Sequence, residues 1–111
     1  MSEAKLFLLQ RLSAMVLAPL VMVHLGLILI AVKDGLTAAE ILDRTHGSVG
    51  WTVFYGFFVV AAALHAPIGL RKVLRENFRA KGKLVDNLLI LFGLLLLTLG
   101  WRAVSGVTGM I

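Results

Sequence analysis

His24, His65, Asp86 with its neighbour Asn87, and Arg11 with Ser13 are the residues of this chain with chemistry to offer. Each lies in or at the edge of an apolar stretch. A polar or ionisable group is costly there, so it marks a functional position by default. An imidazole can bind a metal or carry a proton. His65 sits in Ala61-Ala62-Ala63-Leu64-His65-Ala66-Pro67-Ile68-Gly69-Leu70-Arg71. Ala61 and Gly69 lie four residues to either side of it and share its helix face. A histidine between such small residues leaves room for a flat, wide group. A b-type haem needs that: an imidazole nitrogen for the iron and no bulk beside it. The same pattern also suits a histidine hydrogen-bonded to a neighbouring helix, with the small residues serving close packing. His24 has bulky neighbours, Val23 and Leu25, with Gly26 close by. His46, beside Gly47, reads as a solvated turn residue.

A second set of groups gathers at one level. Arg11 and Ser13 open the first apolar stretch, Arg71 and Arg75 follow the second, and Asp86 opens the third. Snorkelling and interfacial pairing account for such a set. A polar pocket for a quinone head group would use the same residues, with a donor for each carbonyl and a proton route.

Three apolar stretches must position these side chains: about 12–32, 49–70 and 84–104. Each is close to the roughly 20 residues that carry a helix across a hydrocarbon core. Lipid offers no partner to an open backbone, so helix is the expected form. The fold class expected is therefore an all-α membrane protein of three transmembrane helices, forming a single anchor domain over residues 1–111. Pro19 and Pro67 fall inside the first and second stretches, where a kink is tolerated if neighbours satisfy the freed carbonyl. Thr37 followed by Glu40 is a capping box that predicts a short amphipathic helix over about 38–44, lying on the membrane surface through Leu36, Ile41 and Leu42.

Charge sets the orientation. Arg71, Lys72, Arg75, Arg79, Lys81 and Lys83 crowd the second loop, and Lys5 and Arg11 precede the first helix. Only Lys33, Arg44 and Arg102 lie on the other side. The positive-inside bias puts the N-terminus and the second loop in the cytoplasm and the C-terminus outside. The expected location is a bacterial inner membrane. His24 then lies about 18 Å in from the cytoplasmic edge and His65 about 9 Å in. At such different levels the two histidines cannot ligate one iron from this chain. Each could serve one of two stacked haems, with the opposite ligands coming from a partner.

Composition narrows the function. Of 111 residues, 59% are hydrophobic and 15% charged, enough for one small bundle but not for a catalytic domain beside it. The net charge of +5 lies beside apolar segments, which favours a membrane over a nucleic acid as the basic partner. The absence of cysteine excludes disulfides, thiolate nucleophiles and iron–sulfur ligation by this chain. The run after Arg11 is too long for a signal h-region, so no cleaved signal is expected.

Arg11-Leu12-Ser13-Ala14-Met15-Val16-Leu17, three spans, and then Leu64-His65-Ala66-Pro67-Ile68-Gly69-Leu70-Arg71-Lys72-Val73-Leu74 resemble the membrane-anchor subunits of succinate dehydrogenase and fumarate reductase. The family pattern is Arg-x-Ser on the first helix and His-x-x-x-Gly-(Leu/Ile/Met)-Arg near the cytoplasmic end of the second. The resemblance covers roughly Arg11 to Trp101. It implies half of a six-helix heterodimeric bundle, built with a second membrane-anchor subunit, that binds haem b and holds an iron–sulfur subunit and a flavoprotein subunit on the membrane. It implies that the chain passes electrons between the iron–sulfur subunit and membrane quinone and breaks no bond itself. Carried over by motif, His65 is an axial haem ligand, His24 fits the additional histidine of two-haem members, and Arg11 and Ser13 belong to the quinone site; Arg71 and Asp86 join that site by their shared level. Two haems are expected. The chain departs from both types of subunit. Glu76-Asn77 stands where D-type subunits carry Asp-Tyr, and Gln10-Arg11-Leu12-Ser13-Ala14 stands where C-type subunits carry His-Arg-x-Ser-Gly. Two alternatives remain: a haem-free structural anchor of the same complex, and a small proton-coupled transporter using His24, His65 and Asp86.

Overall fold

The computed structural model describes residues 2–111. Four helices follow in order: α1 Glu3–Asp34, α2 Ala38–Thr45, α3 Val49–Phe78 and α4 Lys83–Thr108. Of these, α1, α3 and α4 are long and apolar enough to cross a membrane. At 1.5 Å per residue α1 is about 48 Å long, which matches the 46 Å longest dimension of the molecule. The long helices overrun the apolar stretches. Helix α1 begins well before residue 12, and α3 continues two turns past residue 70. Hydropathy marks where lipid begins, whereas the end of a helix depends on its caps.

Those caps are local. The Ser2 hydroxyl accepts from the Lys5 N–H at 3.3 Å and opens α1. The Ser48 hydroxyl accepts from the Trp51 N–H at 3.1 Å and opens α3. Thr37 opens α2 by accepting from the Glu40 N–H at 3.2 Å. In a capping box the acidic side chain would reach back to the N-cap amide. Here Glu40 instead accepts from the Thr37 hydroxyl at 2.6 Å. Helix α3 ends at Arg79, in the left-handed region at φ 54°, and α4 ends at Gly109, at φ 66°.

Helix α3 is the shared partner of α1 and α4. Its contact with α4 depends on small residues. A Cβ placed on Gly93 would lie 3.1 Å from Pro67 Cγ and 3.2 Å from the Ala63 carbonyl oxygen. Ala63 is the residue whose carbonyl loses its helical donor to Pro67. The proline turn of α3 therefore meets the one kind of residue on α4 that lets backbone approach backbone. Two turns further on, a Cβ on Gly100 would lie 2.5 Å from Val59 Cγ1.

Helix α2 packs on the end of α4 rather than lying free. The Thr45 hydroxyl donates to the Val107 carbonyl at 2.7 Å, and the Gly47 N–H donates to the Thr108 carbonyl at 2.7 Å. Little of the chain is interior. Among the described residues the buried apolar side chains are Ala31, Ala61, Leu89 and Val104. Large apolar residues such as Met22, Leu29, Phe57 and Leu91 are 60% exposed or more. Without lipid or partner helices around it, such a surface would not be tolerated in water.

Candidate functional site

Helix α1 brings Ser13 against α3. Ser13 is buried, and its Oγ lies 3.2 Å from Nδ1 of His65. The same hydroxyl donates to the Gln10 carbonyl at 3.0 Å. One turn along α3, Gly69 admits the Gln10 side chain, whose Nε2 would lie 3.0 Å from a Cβ at that position. A Cβ at 69 would have to displace the Gln10 amide, the end of a flexible side chain. The His65 ring itself is half-buried.

His24 lies three turns after Ser13 on the same side of α1. It meets α3 through an aromatic cluster. Its ring stands edge-on to Phe58 at 5.4 Å and to Tyr55 at 6.1 Å between centroids, and Trp51 and Phe54 extend the group. Phe58 and His65 are two turns apart on α3, about 10 Å along its axis. The two histidines thus occupy separate levels of the α1–α3 seam. Their surroundings differ: polar and small at His65, aromatic at His24.

The residues expected to form one polar group divide into two. Arg71 meets Asp86, its Nε donating to Asp86 Oδ1 at 3.0 Å. Its other two nitrogens grip Glu3, at 2.8 Å to Oε1 and 3.2 Å to Oε2. Arg75 adds a bond to Glu3 Oε1 at 2.9 Å. One guanidinium therefore joins the start of α1, the end of α3 and the start of α4. Its planar fork suits two carboxylates as a lysine would not. Ser13 is in the other group, with His65. Arg11 belongs to neither: it is exposed, with its guanidinium 5.7 Å from the centre of the Phe7 ring. Asn87 is exposed beside Asp86.

Glu3 precedes the apolar stretch of α1, and no feature of the sequence marks it as a partner of Arg71. The Arg71 hydrogen bond, with the charges of Arg71 and Arg75, holds its carboxyl below the usual carboxylate range against a smaller opposing effect of desolvation. A carboxyl lowered in the folded state stabilises the fold above its ordinary pKa, and that contribution is lost as pH falls through the lowered value. In detergent, Glu3→Gln should therefore melt below the unsubstituted protein at neutral pH. The gap should close on acidification past the carboxylate range. A gap of constant size would show that the charge is not what matters.

An apolar cavity of about 450 Å³ runs between the start of α1, α3 and α4. Leu9, Leu64, Pro67 and Leu89 line it, and Arg71 and Asp86 stand in its wall. His65 is absent from that lining, being turned about 100° around α3 from Leu64. Among the described residues, no group of three or more His, Cys, Asp or Glu could hold a metal ion. A lone imidazole with room beside it is instead suited to a metal that brings its own equatorial ligands. In that respect His65, flanked by Ala61 and Gly69 and held by one ring nitrogen, fits an axial position on a haem.

No curated protein and no solved structure matches the chain. The family model of the succinate dehydrogenase/fumarate reductase transmembrane subunit matches residues 2–101. With three membrane-length apolar helices and a match over nearly its whole length, the chain belongs to the succinate dehydrogenase/fumarate reductase transmembrane subunit family.

Proposed function

We propose that this chain is a haem-b-binding anchor that passes electrons between the iron–sulfur subunit of a succinate:quinone oxidoreductase and membrane quinone. The observation that carries the reading is His65, half-buried between Ala61 and Gly69 with one ring nitrogen engaged by Ser13. A bound haem would supply one-electron transfer between the soluble subunits and the quinone. The chain's own part is to offer the axial imidazole, keep bulk away from it and hold α1 against α3. His24 is two helical turns away from the level of His65, so any further protein ligand to a haem held by His65 would have to come from the other membrane-anchor subunit.

His24 would serve a second haem at its own level. Quinone contact falls to Arg11, Arg71 and Asp86. The support for this is the apolar cavity that has the Arg71–Asp86 pair in its wall. Both donor faces of Arg71 are already committed to carboxylates, so a quinone carbonyl would compete with Glu3 or Asp86. Arg11 has its guanidinium exposed and available. The excess of Lys and Arg in the second loop supports a cytoplasmic N-terminus, an external C-terminus and docking of the soluble flavoprotein and iron–sulfur subunits on the α3–α4 end.

The purified complex should show the reduced spectrum of a b-type haem. A haem-free complex with its soluble subunits still attached would leave a structural anchor instead. The expected ratio is two haems per complex, falling to one in His24→Ala. A ratio of one that His24→Ala does not alter would refute the second haem.

A further inference from the structure

The Ser13 hydroxyl has one proton and two neighbours, the Gln10 carbonyl at 3.0 Å and His65 Nδ1 at 3.2 Å. A carbonyl can only accept. If the proton goes to Gln10, Oγ accepts from Nδ1–H, and Nε2 across the ring keeps its lone pair. If the proton went to Nδ1, Nε2 would carry a hydrogen and could not bind a metal. The first arrangement makes a continuous chain, Nδ1–H to Oγ and Oγ–H to the carbonyl, in which each bond polarises the next. It also satisfies both groups inside a seam where Ser13 is buried.

We infer that Ser13 is a positioning residue for His65 rather than a contact for quinone. It fixes the tautomer with Nε2 bare, sets the ring plane, and couples the imidazole to the backbone of α1. This rests on the haem reading of His65 and deepens it. Ligating histidines characteristically donate their second nitrogen to an outer group, which orients the ring and raises its basicity. Here that group is a neutral hydroxyl backed by a backbone carbonyl. Gly69 lies beside the same contact and leaves room for the Gln10 side chain.

The test uses the intact purified complex. Ser13→Ala removes the acceptor, and Ser13→Cys replaces it with a poor one of nearly the same size. Both should lower haem retention by about 10-fold against a competing haem scavenger. Both should also raise the haem midpoint potential, because an imidazole that no longer donates from Nδ1 gives less electron density to ferric iron. Ser13→Thr keeps a hydroxyl that can bond the preceding turn and should restore both readouts. The cysteine variant carries the test if the alanine variant does not assemble. An unchanged potential in the alanine and cysteine variants would overturn the role of Ser13, provided that His65→Ala has lost its haem. If His65→Ala keeps the full spectrum undiminished, it is the haem reading of His65 itself that fails.

Discussion

Replacing His65 with alanine should remove from the reduced b-type spectrum of the complex the share of the haem at its level, leaving that of the haem at His24, or displace that share where a foreign ligand fills the vacancy, while the three-helix chain stays folded and its soluble subunits stay bound. The fold survives because little of it depends on the imidazole. Alanine is the best helix former, so α3 gains slightly in propensity. The Ser13 hydroxyl keeps the Gln10 carbonyl for its proton and loses only a partner for its lone pair. The expected cost is on the order of 1 kcal/mol. A haem held by His65 would have no comparable reserve, since the imidazole that would hold it is gone. His24→Ala has a different profile. It removes two edge-on aromatic contacts, to Phe58 and Tyr55. Such pairs are worth about 0.5–1.5 kcal/mol each, so thermal stability in detergent should drop with it. An unchanged spectrum in His65→Ala would move the ligand elsewhere and with it the whole electron-transfer reading.

Gly93→Val should destabilise the bundle, costing on the order of 3 kcal/mol of stability in detergent. A methyl group alone would crowd the Ala63 carbonyl at 3.2 Å and the Pro67 ring at 3.1 Å. Neither neighbour is the free end of a flexible side chain. A branched residue would force α4 off the Pro67 turn of α3 and open the apolar cavity beside it. Gly106→Val provides the comparison, because a Cβ there meets nothing within 4 Å. Thermal melts of the two variants should separate clearly. Equal melting temperatures would mean that the Gly93 contact does not hold the helices together.

Much of the architecture was legible in the residues. Three runs of about 20 apolar residues can only be helices in lipid, and the Thr37 cap announced α2 within one residue of its end. The limits of α1 and α3 were not legible in hydropathy, because the Ser2 hydroxyl opens α1 and the left-handed backbone of Arg79 ends α3. The surface position expected for α2 was incomplete: Thr45 and Gly47 tie this helix to the last turn of α4 across about sixty residues of chain. Gly93 carried no signal of its own. Its role follows only from meeting Pro67, and nothing in either stretch states which neighbour it will face.

For the site, residue types were enough to single out His65, because a lone imidazole between alanine and glycine in an apolar run has few uses. They also singled out Arg11, Ser13, Arg71, Arg75 and Asp86 at one level, but not Glu3. Grouping them needed the tertiary structure. Arg11 and Ser13 are two residues apart, which turns them about 200° from each other around α1. One therefore faces outward while the other is buried against α3. Arg71 could have met several acids, and helix packing gave it Glu3 and Asp86 together. Sequence by itself determined what each group can do, since chemistry belongs to the side chain and depth to the hydropathy of its neighbours. Which groups act together was decided by the rotation of each helix about its axis. That rotation follows from where glycine, alanine and serine let backbones approach, a property of pairs of helices and not of any one stretch.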